Sequence, residues 1–290
     1  MMPAWFGRLG RAAVLAATMA APAMAQQAAT PESLRARGAY LAEGIAACGN
    51  CHTPKGQQGE LPGMTLAGGF VIDIPGTFRA VVPNITPDPE TGIGRWTDAE
   101  IARAIREGRR PDGSVIGPPM PIELYRRIGD EDLAALVAYV RSVPAVRNRV
   151  ERSTYAIPLP PDYGPPVGRV QGPPADDPVA RGAYLAGPLG HCSECHTPMT
   201  GGQGMQRDWS RTGAGGVPIP SPFGMVVPRN ITPASLRDWT DAEIGRAITQ
   251  GISRDGRRLM PPMAFPYYAR ISPGDLADII AWIRSLPPQP

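Results

Sequence analysis

Aromatic side chains make up only 6% of this 290-residue sequence, and it has just three histidines and four cysteines. Each scarcity excludes something. With so little aromatic mass, a domain of about 110 residues builds only a thin core of its own. Beyond the first 25 residues no segment stays apolar for the roughly 20 positions a membrane-crossing helix needs, so no transmembrane span is expected in the mature chain. Basic runs and aromatic-basic interleaving are also missing. The pI of 8.8 therefore does not point to nucleic acid as a partner. No sustained alternation of period two marks out a sheet, and the expected fold is all-α.

The first 25 residues read as a signal peptide. Arg8 and Arg11 give a positive start, residues 12–23 are small and apolar, and Ala23-Met24-Ala25 offers a cleavage site before Gln26. Such a leader implies export to a periplasm, with any attachment to a membrane made through a partner. No cysteine lies near the cleavage site, which excludes a lipoprotein anchor. Removing Arg8 and Arg11 takes the formal charge from +3 to +1.

All four cysteines fall in two pentapeptides, Cys48-Gly-Asn-Cys51-His52 and Cys192-Ser-Glu-Cys195-His196. The Cys-x-x-Cys-His spacing is that of c-type haem attachment. Two thiols a turn apart can form thioethers to the two vinyl groups of one haem, and the histidine that follows can then ligate the iron. The competing readings are weaker. A structural zinc site wants four ligands in one tetrahedron and gives no reason for a histidine directly after each pair. A thioredoxin-like pair would sit near a βαβ pattern, and none is present. Disulfides within each pair would be strained. Two covalently attached haem c groups are therefore expected, held by Cys48, Cys51 and His52 and by Cys192, Cys195 and His196.

The second half of the chain repeats the first. Arg37-Gly-Ala-Tyr-Leu-Ala42 returns as Arg181-Gly-Ala-Tyr-Leu-Ala186, Asn84-Ile-Thr-Pro87 as Asn230-Ile-Thr-Pro233, and Trp96-Thr-Asp-Ala-Glu-Ile101 as Trp239-Thr-Asp-Ala-Glu-Ile244. Pro118-Pro-Met120 returns as Pro261-Pro-Met263. The offset stays between 143 and 146, which implies two domains, at 31–143 and 177–290, joined by a Pro-rich linker at 144–176. Composition leaves open whether that segment spaces the domains or runs across a domain surface.

Each half reads as helices joined by long loops. An opening helix carries Leu34, Gly38, Leu41 and Ile45 on one face. A middle helix opens on the capping box Thr97-Asp98-Ala99-Glu100 and stops at Gly108, and its twin opens at Thr240 and stops at Gly251. The closing helix has Leu133, Leu136, Val137 and Val140 at helical spacing; its twin has Leu276, Ile279, Ile280 and Ile283, with Pro273 after Ser272 at the start. With 36 prolines and 34 glycines around a thin core, a buried haem would give the loops something to pack on. The chain without haem is expected to be weakly folded.

A haem iron that carries electrons needs a second axial ligand, and no cysteine is spare. Methionine is the common choice and raises the reduction potential. Met120 lies 68 residues after His52, and Met263 lies 67 after His196, each behind Pro-Pro and ahead of the closing helix. They are the expected axial ligands. Met260 is the rival in the second half, but it aligns with Gly117. A methionine filling a core gap is the alternative at either position.

Each half resembles a class I cytochrome c domain. The run Asn84-Ile-Thr-Pro-Asp-Pro-Glu-Thr-Gly-Ile-Gly-Arg-Trp96, the segment Gly215-Gly-Val-Pro-Ile-Pro-Ser-Pro-Phe223 and both Pro-Pro-Met loops resemble a narrower group, the multihaem cytochrome c subunits of periplasmic alcohol, gluconate and sorbitol dehydrogenases. Many members of that group carry three haem motifs, whereas this chain has two. The resemblance implies electron transfer from a flavin- or quinone-dependent dehydrogenase to the respiratory chain, with an oxidase, a quinone or another cytochrome as acceptor. It implies no catalysis by this chain. A dihaem enzyme of the peroxidase or thiosulfate dehydrogenase type is the alternative. It would need an open or replaceable axial site, and only His191 is spare.

Other residues divide between structure and function. Gly38 and Gly182 are expected where the opening helices cross the closing ones, at Tyr139 and Trp282. Trp96 and Trp239 either donate to a haem propionate or pack in the core. The Asn-Ile-Thr loops are expected to line the haem edge. His191, which aligns with Ala47, reads as a surface or loop histidine, with tuning or ligation of the second haem as the other reading.

Overall fold

The computed structural model describes Met1 and residues 30–200, 206–216, 218–221 and 224–290. The expected leader at 1–25 lies, beyond Met1, outside the described residues, as do Val217, Pro222 and Phe223 of the Gly215–Phe223 run.

Local signals place the helices where the pattern predicts. The opening helix of the first half spans Pro31–Glu43, with Thr30 as its N-cap and proline in its first turn. The middle helices, Asp98–Glu107 and Asp241–Gln250, each start on a complete capping box. Both end on a glycine in the left-handed region, Gly108 at φ 64° and Gly251 at φ 65°. A side chain there would be strained, so the helices stop. The closing helices are Asp130–Ser142 and Pro273–Ser285, the second capped by Ser272. Leu133, Leu136, Val137 and Val140 are all buried, as are Ile279, Ile280 and Ile283.

The second opening helix differs. It covers only Pro178–Tyr184 and passes into a π turn at Leu185–Leu189 that contains Pro188. Proline there has no amide hydrogen to continue the α pattern, whereas the first half has Gly44 at that position.

Opening and closing helices cross at near-contact of their backbones. A Cβ on Gly38 would stand 1.9 Å from the carbonyl oxygen of Ala135 and 2.7 Å from Tyr139 Cβ. A Cβ on Gly182 would stand 1.9 Å from the carbonyl oxygen of Asp278 and 2.8 Å from Trp282 Cβ. Only glycine fits at either crossing.

Helix dominates, at 37% against 10% strand, but the strands correct the all-α expectation. Val71–Ile74 and Phe78–Val81 form an antiparallel hairpin, joined on its outer side by Thr154–Tyr155. Ile219–Ser221 and Gly224–Val226 form a second hairpin in the other half. The burial of Val71–Ile74 does alternate, with Ile72 and Ile74 inward. Four residues are too short a run to register as a strand against so many turn residues.

The segment expected as a linker is a strap across the first half. Besides its strand, Tyr155 Oη donates to the Pro118 carbonyl at 3.1 Å and Tyr163 Oη to the Ile116 carbonyl at 2.8 Å. Arg126 donates to the Pro165 carbonyl at 2.6 Å, and the Val167 amide to Glu107 at 2.9 Å. The buried side chains of both halves meet in one continuous apolar cluster that includes Leu41, Ile45, Leu185, Leu189, Tyr125 and Tyr268. No described helix is long and apolar enough to cross a membrane.

Candidate functional site

Cys48–His52 forms one helical turn, and Cys192–Cys195 forms its twin with His196 directly after. The residue before each turn is left-handed although it is not glycine: Ala47 at φ 46° and His191 at φ 42°. That uncommon conformation redirects the chain between the opening helix and the motif in both halves. All four thiols are free and partly buried. Burial pushes Cys48 up to about 12 and Cys192 to about 11, so both stay protonated at neutral pH.

The histidines are oriented by backbone. His52 Nδ1 lies 3.0 Å from the Pro83 carbonyl oxygen, and His196 Nδ1 lies 2.7 Å from that of Arg229. A carbonyl can only accept, so Nδ1 carries the hydrogen in both rings. Burial lowers both pKa values, which favours the neutral ring. Nε2 is left with its lone pair, the form and orientation in which a histidine ligates a metal. Among the described residues no three His, Cys, Asp or Glu side chains cluster as a protein metal cage would. Two isolated imidazoles, each beside a thiol pair, suit a planar cofactor that brings its own equatorial ligands.

Met120 and Met263 are half-buried and pack against the same apolar cluster as Cys48 and Cys192. Their loops match: the Met120 carbonyl accepts from the Ile122 amide at 2.9 Å, and the Met263 carbonyl from the Phe265 amide at 3.0 Å. Met260, the rival, is 68% exposed.

Each motif is approached by residues of the other half: Tyr125 lies against His191, and Tyr267 against Gly49. His191 packs edge-on against Tyr125 of the first half, ring centres 6.3 Å apart, and its Nδ1 lies 3.5 Å from Glu194. The ring is thus at the junction of the two halves rather than on an open surface. Tyr125 and Tyr268 are both buried. Burial, then the thiols of its neighbouring cysteines, raise each phenol well above its ordinary range; for Tyr268 those thiols include Cys51 as well as Cys192 and Cys195. Burial likewise pushes Glu194 up to about 7. Tyr267 hydrogen-bonds Glu60 and lies against Gly49, inside the first motif. Motif reasoning misses these tyrosines. The signal that could have found two of them is the repeat itself, since Tyr125 and Tyr268 align at an offset of 143.

The remaining candidates have structural places. Asn84 Oδ1 accepts from the Thr86 amide at 2.9 Å, while its Nδ2 donates to the Val146 carbonyl at 2.7 Å. Asn230 repeats this with Thr232 at 2.8 Å and Gln289 at 2.9 Å. These side chains tie the chain beyond each closing helix to the loop whose carbonyl orients the histidine. Trp96 and Trp239 pack against the apolar cluster.

Comparison with known proteins agrees with this geometry. The family model described as Cytochrome c matches twice, at residues 35–144 and 179–287. A diheme cytochrome c-type protein of Cereibacter sphaeroides is 37% identical over 237 residues, covering 78% of this chain and 75% of that protein. The cytochrome c subunit of a quinone alcohol dehydrogenase from Gluconacetobacter polyoxogenes is 32% identical, covering 94% of this chain and 60% of that subunit. The cytochrome subunit of fructose dehydrogenase from Gluconobacter japonicus is also 32% identical, over 87% of this chain and 52% of its own length. The chain thus spans only part of the dehydrogenase subunits it resembles.

Proposed function

The chain belongs to the cytochrome c family, and from that premise we propose that it is a periplasmic carrier of electrons with two haem c groups. It receives electrons from a flavin- or quinone-dependent dehydrogenase and passes them toward the respiratory chain, to an oxidase, a quinone or another cytochrome. The observation that carries this reading is the pair of backbone-oriented imidazoles, at 3.0 and 2.7 Å from their carbonyls, each following a pair of free thiols. The relatives are electron-transfer cytochrome subunits rather than catalytic enzymes, which favours a carrier over a dihaem enzyme.

When bound, haem supplies a one-electron iron couple. Cys48 and Cys51, and Cys192 and Cys195, would hold it by thioethers. His52 and His196 would ligate the iron through Nε2, which their Nδ1 contacts leave free, and Met120 and Met263 would ligate it through sulfur. Thioether ligation favours the reduced iron and so raises the potential. The domains are assigned to 31–143 and 177–290, with the leader at 1–25 directing export. The strap at 144–176 belongs to the first half in space.

The test is the haem content of the purified holoprotein together with its far-red sulfur-to-iron absorption band. Two haems per chain and a band at full intensity for two His/Met irons are expected. A band at half intensity or none would displace Met120 or Met263 and make a catalytic haem the working reading.

A further inference from the structure

Tyr40 and Tyr184 occupy the same place in the two copies of the repeat, within the opening helices. Neither hydroxyl bonds within its own half among the described residues. Tyr40 Oη donates to Asp275 Oδ2 at 2.6 Å and accepts from the Ser272 amide at 3.1 Å. Tyr184 Oη donates to Asp132 Oδ2 at 2.8 Å and accepts from the Gly129 amide at 3.0 Å. Ser272 and Gly129 are the N-cap residues of the two closing helices, and both aspartates stand in the first turn. Each tyrosine therefore caps the closing helix of the opposite half.

The aspartates are themselves anchored at home. Arg37 holds Asp132 at 2.8 Å, and Arg181 holds Asp275 at 2.8 Å. The result is two chains of contact, each an arginine and aspartate of one half and a tyrosine of the other, related by a local two-fold. In such an arrangement a contact from one half to the other recurs in reverse. Asp275 is only 6% exposed, and both tyrosines are half-buried. These are charge-assisted bonds in a place where water competes poorly. The strap's hydrogen bonds described above are made to the first half.

We propose that Tyr40 and Tyr184 are reciprocal positioning residues that hold the two halves in one fixed docking and so set the separation of the two haem sites. The proposal rests on the two-haem reading above for its second clause. Tunnelling between two centres falls steeply with distance, so a fixed docking is what makes internal transfer reproducible.

The test uses the full holoprotein with Tyr40→Phe, Tyr184→Phe and both together. Phenylalanine keeps the ring and its packing and removes only the hydroxyl. Amide hydrogen exchange is followed at Gly129 and Ser272. Docking as one unit predicts a crossed effect: Tyr184→Phe speeds exchange at Ser272, and Tyr40→Phe at Gly129, by about tenfold each, and the double change by about a hundredfold. Acceleration confined to the amide that lost its acceptor overturns the proposal. The second readout is the dipolar coupling between the two oxidised haems, measured by pulsed electron paramagnetic resonance. One narrow coupling is expected in the unaltered chain and a broad distribution in the double variant. An unchanged distribution sinks the positioning role. Haem content of the unaltered chain separates the two readings: a chain without haem ends the carrier reading, while the crossed exchange effect still decides the docking.

Discussion

The two halves share one frame and differ in what lies over it. In both, a left-handed residue leads into the thiol pair, a carbonyl orients the histidine, and a Pro-Pro-Met loop faces the apolar cluster. Over the first methionine loop lies the strap, with Tyr155 and Leu159 directly against Gly117 and Tyr163 against Gly108. Over the second there is no such cover among the described residues: Phe265 of the same half packs against Gly251, and Met260, which takes the place of Gly117, is exposed. Duplication thus preserved the chemistry of the site, while the connecting segment made its surroundings unequal. The difference bears on which site an outside partner reaches.

The strongest way to break this comparison is to remove one thiol pair at a time. Cys48→Ala with Cys51→Ala, or Cys192→Ala with Cys195→Ala, is expected to lower haem content from two per chain to one, as read by a haemochrome assay. Loss of both haems from either variant would show that the halves do not load independently. The variants are also expected to unfold more readily than the full holoprotein, since the ligand stabilises the fold it binds.

The helix crossings test whether the frame is equal in the two halves. Gly38→Ala and Gly182→Ala each drive a methyl group into a carbonyl oxygen 1.9 Å away. Each is expected to cost about 3 kcal/mol, the upper range for overpacking, in a denaturant titration of the holoprotein. A cost in one half only would mean that the other crossing yields.

The methionines sharpen the comparison at the site. Met120→Leu and Met263→Leu should each remove half of the far-red band while both haems remain. Met260→Leu should leave the band unchanged, because its side chain is exposed.

The smallest effect should come from the strap. Tyr155→Phe and Tyr163→Phe each delete one hydrogen bond, at about 1 kcal/mol apiece. The expected outcome is faster reduction of the first haem by a small soluble reductant, with the second haem unaffected, followed by stopped-flow absorbance. Equal acceleration at both haems would show that the strap does not shield the first site.

Much of this was legible before the fold was known, because the informative features are local. A thiol pair a turn apart, a capping box and a terminal glycine are chemistry within a few residues. The duplication then sets each reading beside its twin, and it is the ground for preferring Met263 to Met260 as the expected ligand. What could not be read locally is what depends on long-range contact. The strands around Val71–Ile74 are too short to show a period, and Thr154–Tyr155, far along the chain, returns to pair with Phe78 and Arg79. The strap reads as a linker because proline content describes stiffness and says nothing of where a stiff segment lies. That the Asn-Ile-Thr loops also hold the tail beyond each closing helix, through partners about 60 residues away, could not be read locally either.

By itself the sequence determined the number of haem motifs, the identity of the thiols and histidines, the two-fold repeat and the helix ends, since each follows from covalent spacing or from hydrogen bonds within a turn. Tertiary structure alone decided that His191 of the second motif packs on Tyr125 of the first half, that Tyr40 and Tyr184 reach into opposite halves, and that among the described residues the strap lies over the first methionine loop. Those outcomes depend on which apolar faces the two halves bury together, and residues 235 positions apart carry no local trace of the bond between them.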